Sequence, residues 1–229
     1  QELKGSIRVL CRQRPLAAHE GESATSVPTD GEIRLVERGH ARGFTFDHVF
    51  GAGAAQAEVF SEVEPVIDSV LRGFNVCILA YGQTAAGKTH TIDGLLPTVI
   101  DRIFKATNEG DFETSEVSVS YLEIYNEQVR DLLVPAPVQT DPDRPPPQPK
   151  ALNLQNRLQG GVTVVGLSER KPRNALEAKR VLKEGGERRA AAATASTSAA
   201  EGASSFGGRS TTIILDVVVI AVVRILAFL

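Results

Sequence analysis

The chain has 229 residues, of which 42% are hydrophobic and 23% charged, and its formal net charge is −3. That length can bury the core of one α/β domain. The charge excludes the global Lys/Arg excess on which non-specific nucleic-acid binding rests. Two cysteines, Cys11 and Cys77, both lie in apolar runs; two packed thiols in a reduced, intracellular protein is the simpler reading, and a disulfide is the alternative. The opening residues do not read as a signal peptide, and none is expected. The lack of any Met, even at position 1, leads us to expect a fragment or an incompletely read gene.

Ser6 to Arg12 alternates as a strand, with Ile7, Val9 and Cys11 on one face, until Arg14-Pro15 ends it. Residues 17–32 read as a polar loop. Ile33–Val36 and Phe44–Phe46 are short strand candidates. Between Ala55 and Phe74, residues Val59, Phe60, Val63, Val66, Ile67, Val70 and Leu71 recur at helical spacing and define an amphipathic face. Pro65 removes one helical hydrogen bond, which predicts a kink or break, and Gly73 predicts the stop. Val76 to Tyr81 is a short apolar run that predicts a buried strand. Leu95–Ala106 predicts a helix, Glu116–Tyr125 a strand, and Asn126–Leu133 a helical turn.

Pro135 to Pro149 is proline-rich, so residues 134–150 are expected as a surface insertion outside any packed element. Gly161–Leu167 is a further strand. Asn174–Glu184 has helix signals at both ends: Asn174 as cap, Glu177 three residues on, and Gly185-Gly186 as a stop. From Ala190 to Gly208 the alanines favour helix, while the Ser, Thr and Gly that follow favour a mobile loop. Ile213–Leu229 is almost wholly apolar, broken by Asp216 and Arg224. As a transmembrane helix it would be short and would carry two charges costing about 2.5–3.5 kcal/mol each. Its β-branched content favours one or two central strands instead; mistranslated sequence is a third reading.

The chemistry concentrates in Gly82-Gln83-Thr84-Ala85-Ala86-Gly87-Lys88-Thr89, which fits G-x-x-x-x-G-K-[ST]. Glycines let the backbone wrap a phosphate and aim N–H groups at it. Lys88 brings a positive charge to the outer phosphates, and Thr89 a hydroxyl for Mg²⁺ at the positive end of a helix. Chance produces the pattern in a chain of this length on the order of once in a hundred. Ala85 and Ala86 place Cβ atoms inside the loop, and a positive φ at either would cost about 1–2 kcal/mol. His19, His40, His48 and His90 show no metal-like clustering with Cys or carboxylates.

Several segments in order resemble the motor domain of kinesins. Gly5-Ser6-Ile7-Arg8-Val9-Leu10-Cys11-Arg12-Gln13-Arg14-Pro15-Leu16 is similar to the family's opening strand and its R-x-R-P adenine contact. Phe44-Thr45-Phe46-Asp47-His48-Val49-Phe50 resembles its F-x-F-D-x-V-F, and Leu71 to Tyr81 leads into the phosphate loop as in kinesins. Tyr121-Leu122-Glu123-Ile124-Tyr125-Asn126-Glu127, followed by Asp131-Leu132-Leu133, matches another signature, as do Gly160-Gly161-Val162 and Gly166-Leu167. The match runs from residue 3 to about residue 189. Glu2-Leu3-Lys4-Gly5 resembles the neck junction of kinesins whose motor is C-terminal, a group that walks toward microtubule minus ends.

This resemblance implies that residues 1–229 are part of a three-layer α/β P-loop NTPase, with a mixed central sheet, helices on both faces, and a truncated end. It implies an ATP-driven microtubule motor of the cytoplasm and cytoskeleton, with neither nucleic acid nor membrane as partner, dimeric through a coiled-coil stalk outside this chain. Arg12, Arg14 and Pro15 would cradle adenine. Gly82, Gln83, Thr84, Ala85, Ala86, Gly87, Lys88, Thr89 and His90 would hold the phosphates, with Mg²⁺ on Thr89.

The departures matter equally. The family senses the γ-phosphate with N-x-x-S-S-R-S-H; residues 190–211 hold only a degraded version, Ser204-Ser205-Phe206-Gly207-Gly208-Arg209-Ser210-Thr211. Ser204, Ser205 and Arg209 are the catalytic candidates there, against the plainer reading of a flexible loop. The second sensing loop, D-L-A-G-S-E, is absent from the sequence, and Ala85 stands where the family has Gly. ATP binding with impaired hydrolysis, and marginal stability from missing strands, are the expectations. A non-motor kinesin-like module that does not use ATP is the alternative, and an unrelated small NTPase a third.

Overall fold

The structure, a computed structural model, describes residues 7–109, 114–125, 128–135, 152–157, 161–201 and 222–228. The chain divides into two units, Gln1–Pro65 and Val66–Leu229.

In the first unit, β1 (Leu10–Arg12) is the short remainder of the longer strand predicted from Ser6. Ile7 and Val9 precede it, 90% and 50% exposed. Residues predicted as loop contain β2 (Thr25–Thr29), whose sequence TSVPT is too polar to announce a strand. β3 (Glu32–Glu37) and β4 (His40–Thr45) pair with it as an antiparallel meander, and β5 (His48–Phe50) follows. The meander spans the crossover that a parallel pair requires: β5 lies parallel to β1, with Cys11 opposite Val49. Arg38 and Gly39, at φ 49° and 80°, make the two-residue turn between β3 and β4, the left-handed pair that matches hairpin twist. Asp47 fixes the start of β5, its carboxylate accepting from Val9 N at 2.6 Å and its own N–H donating to Val9 O at 3.0 Å.

Helix α1 (Gln56–Leu71) continues through Pro65, which lies on its exposed side, where water can satisfy the carbonyl left without a partner. Val59, Val63 and Ile67 are its buried stripe. Its end is as predicted: Gly73 has φ 90°, and the N–H of Phe74 reaches back to Ser69 O at 3.1 Å, a Schellman closure.

In the second unit, α2 (Lys88–Glu109) buries Leu95, Val99, Ile100, Ile103 and Phe104. β6 (Thr114–Ser120), β7 (Leu122–Tyr125) and β8 (Gln128–Asp131) follow. The helical turn expected over Asn126–Leu133 is thus corrected: β8 pairs antiparallel with β7, with Val129 buried opposite Ile124. Four residues are too few for periodicity to separate a turn from a strand. β9 (Asn153–Asn156) and β10 (Val162–Val165) form a further antiparallel pair. The expected proline-rich insertion lies almost wholly outside the described residues.

Helix α3 (Ala175–Glu201) starts where predicted, with Asn174 Oδ1 accepting from Glu177 N at 2.9 Å. It does not stop at Gly185-Gly186. Gly185 is buried against the ring of Tyr121, so it serves close packing rather than chain reversal. The helical backbone then runs into the Ala/Ser/Thr stretch as far as Glu201. β11 (Val222–Phe228) pairs antiparallel with β6 along its full length, the strand expected from the apolar end. Among the described residues no helix is long and apolar enough to cross a membrane.

α2 and α3 pack antiparallel. Lys179 of α3 pairs with Asp101 of α2 at 2.6 Å, while Arg189, farther along α3, reaches back to Thr89 at the start of α2. Parallel and antiparallel ladders both occur among the described residues, in separate two- and three-stranded sheets; the mixed pairing is what the resemblance implies.

A further expectation also fails. Val76–Tyr81 forms no strand, and Cys77, Leu79 and Tyr81 are exposed, Tyr81 by 83%. An apolar run becomes a buried strand only when neighbours pair with its edges, and no described strand pairs with this one. Cys77 is therefore not a packed thiol. Cys11 is half-buried, and desolvation raises its pKa; both thiols are free.

Candidate nucleotide-binding loop

The loop from Gly82 to Gly87 turns sharply into α2. Ala86 N donates to Gln83 O at 3.1 Å, and Thr91 N to Gly87 O at 3.0 Å, closing the first helical turn. Gly87 has φ 91° and Ala85 φ 63°. The left-handed Ala85 is the strained position foreseen from the sequence. Such a residue between neighbours of non-positive φ can tilt successive N–H groups toward one concavity. A Cβ at Gly82 would stand 3.1 Å from Ala86 Cβ, so that end of the loop is already tight.

Lys88 folds back over the loop. Its Nζ donates to Gly82 O at 2.9 Å and to Gln83 O at 3.1 Å. An ammonium has three donors, so these bonds position the charge and leave one N–H for an anion. A cation held across a glycine turn, at the positive end of a 22-residue helix, is a donor set suited to phosphate. Ala85→Gly should relieve the positive-φ strain while adding chain entropy to the unfolded state. We expect a net gain of about 0.5–1 kcal/mol, read as a higher urea midpoint at unchanged slope.

Thr89 is exposed, and its hydroxyl accepts from Arg189 Nη2 at 3.0 Å. Arg189 also bears on the Tyr121 phenol, whose pKa is raised mainly by burial and then by the charge of Asp93, and which the Arg189 charge lowers in part. Partial desolvation raises the Asp93 carboxyl, although the residue as a whole is exposed, and the charges of Arg189 and His90 oppose that shift. Among the described residues there is no group of three or more His, Cys, Asp or Glu able to hold a metal. Mg²⁺ characteristically takes one or two protein ligands plus phosphate oxygens and water, so Thr89 suffices in type. Its hydroxyl, however, already has a cationic partner.

Arg12, Arg14 and Pro15 belong to the first unit. Arg12 donates to Gln56 Oε1 at 3.0 Å and to Ala54 O at 3.3 Å, tying β1 to the start of α1. Arg14 forks onto both oxygens of Glu20, and Pro15 is exposed. Glu20 also accepts from Ala17 N at 2.7 Å. The Arg14 hydrogen bond leads in lowering the Glu20 pKa to about 2. A folded-state pKa below the unfolded value means that the ordering of residues 14–20 is complete above the ordinary glutamate range and is lost as pH falls through about 2. A carboxyl-detected NMR titration should place Glu20 there, and Arg14→Ala should raise it toward the ordinary glutamate value, short of it by what the Ala17 N–H still contributes.

Ser204, Ser205 and Arg209 lie outside the described residues. Arg189 and Asp93 were not singled out from the sequence. No motif marks them; Arg189 meets Thr89 only because α3 runs past its two glycines, while Asp93 lies one turn along α2.

A glycine turn with an inward lysine, opening a helix in an α/β chain, defines the class of P-loop NTPases. The sequence profile of the kinesin motor domain matches residues 12–214. The chain is 39% identical over 198 residues to kinesin-like protein KIN-14Q of Arabidopsis thaliana, covering 80% of this chain and 16% of that protein. It is 40% identical over 194 residues to kinesin-like protein KIFC2 of Homo sapiens, covering 80% of this chain and 21% of that one. The solved structure of a fast kinesin, studied for its ATPase mechanism and interactions with microtubules, superposes with a TM-score of 0.72 at 32% identity, over 83% of this chain and 55% of the other. The chain belongs to the kinesin motor family. It spans about a fifth of the length of these curated relatives.

Proposed function

We propose that this chain is part of an ATP-binding microtubule motor of the C-terminal-motor kinesin group. The observation that carries this reading is the Lys88 ammonium braced on Gly82 O and Gln83 O at the start of α2. In it, loop amides and Lys88 hold the triphosphate, Thr89 offers its hydroxyl to Mg²⁺, and Arg12, Arg14 and Pro15 face adenine. When bound, Mg²⁺ neutralises the developing charge on the phosphoryl oxygens. The partner is the microtubule, the setting the cytoskeleton, and the active assembly a dimer through a stalk outside this chain.

Phosphoryl transfer also requires a positioned water and charge stabilisation around the moving group. The first sensing loop is interrupted in the sequence. Slow hydrolysis follows for this chain. In a phosphate-release assay, microtubules should raise turnover little above background while Mg-ATP binds at micromolar concentration. Strong stimulation that disappears in Lys88→Ala would overturn slow hydrolysis. Failure to bind Mg-ATP at millimolar concentration would overturn the motor reading in favour of a kinesin-like module that does not use nucleotide.

A further inference from the structure

The geometry points to Arg189 as a built-in counter-cation of the nucleotide site, standing at the Thr89 hydroxyl where Mg²⁺ would otherwise bind and allowing this chain to hold ATP without metal. The inference rests on the nucleotide-binding reading of the loop and extends it. Arg189 Nη2 lies 3.0 Å from Thr89 Oγ1, a contact made across 100 residues of sequence. The donated N–H takes one of the hydroxyl's two lone pairs and sets a positive charge beside the one a metal would use. A guanidinium and a divalent cation on one oxygen repel, so the two alternate there rather than coexist.

The guanidinium is also held from other sides. The Tyr121 phenol and the Asp93 carboxylate, one turn along α2 from Thr89, share its field. Tyr121 is 3% exposed and packs against Gly185, one helical turn before Arg189. The side chain is thus delivered to the loop's helix end from a rigid backbone. A planar fork of donors also suits phosphate oxygens, and unlike Mg²⁺ it needs no dehydration to serve them.

The test is calorimetric titration of the full chain with ATP, in magnesium and again in excess EDTA, for the wild type and Arg189→Ala. We expect wild-type affinity to fall less than about threefold without magnesium, and that of the variant to fall more than about tenfold. A merely structural role for Arg189 would weaken both conditions alike and leave the ratio unchanged. A wild-type loss above about tenfold in EDTA overturns the inference while leaving the nucleotide reading intact, and it needs no variant to fold. Equal ratios for the two proteins overturn it as well. No binding to wild type even with magnesium would instead remove the nucleotide reading, and this inference with it.

Discussion

Lys88→Ala is expected to abolish measurable ATP binding while leaving the fold intact. The ammonium is part of no ion pair among the described residues; it donates to the carbonyls of Gly82 and Gln83. Removing it frees two acceptors in a half-exposed loop, where water replaces the lost donors. Folding stability should therefore change by less than about 1 kcal/mol. Binding loses more, because a charge-assisted hydrogen bond to phosphate contributes about 1.5–3 kcal/mol and the electrostatic attraction adds to it. The expected result is a loss of roughly a hundredfold or more in affinity, with an unchanged urea melt. Equal loss of folding and binding would mean that the lysine is a structural strut.

Gly185→Ala should be the most damaging small substitution in the described part of α3. A Cβ there would lie 2.1 Å from Tyr121 Cδ1 and 2.7 Å from Cε1. The ring belongs to a residue only 3% exposed, so it cannot swing aside freely. Overpacking of this kind costs about 1–3 kcal/mol, against a helix-propensity gain of about 1 kcal/mol for Ala over Gly. The clash outweighs the gain, and we expect a net loss of up to about 2 kcal/mol. Gly186 is the internal control. Nothing lies within 4 Å of a Cβ built on it, so Gly186→Ala should stabilise by about 0.5–1 kcal/mol from propensity alone. Opposite signs at adjacent glycines, read by urea denaturation, would tie the effect to the Tyr121 ring. Equal signs would contradict the packing described here.

These two sites mark what a linear reading reaches and what it misses. The Gly82–Thr89 loop was legible because phosphate binding needs fixed residue types at fixed spacing, and its strained Ala85 followed from Cβ sterics. The start of α3 was legible through Asn174 and Glu177, and the end of α1 through Gly73, because caps are local. The continuation of α3 past Gly185 was not. Glycine pairs usually end helices, and only the approach of Tyr121, 64 positions earlier, gives this one another use. Arg189 beside Thr89 was hidden for the same reason. β2 and β8 were missed because each is short and takes its identity from a paired neighbour. Val76–Tyr81 failed in the other direction. Its apolar pattern was read correctly, but burial depends on partners that an isolated window does not contain.

The account depends on main-chain amides of one turn closing around phosphate oxygens, and amide hydrogen exchange with and without ATP reads those amides directly. We predict that ATP slows exchange in the segment from Gln83 to His90, and that Lys88→Ala removes the effect. Unchanged exchange across that segment at saturating ATP, or protection confined to other parts of the chain, would contradict it.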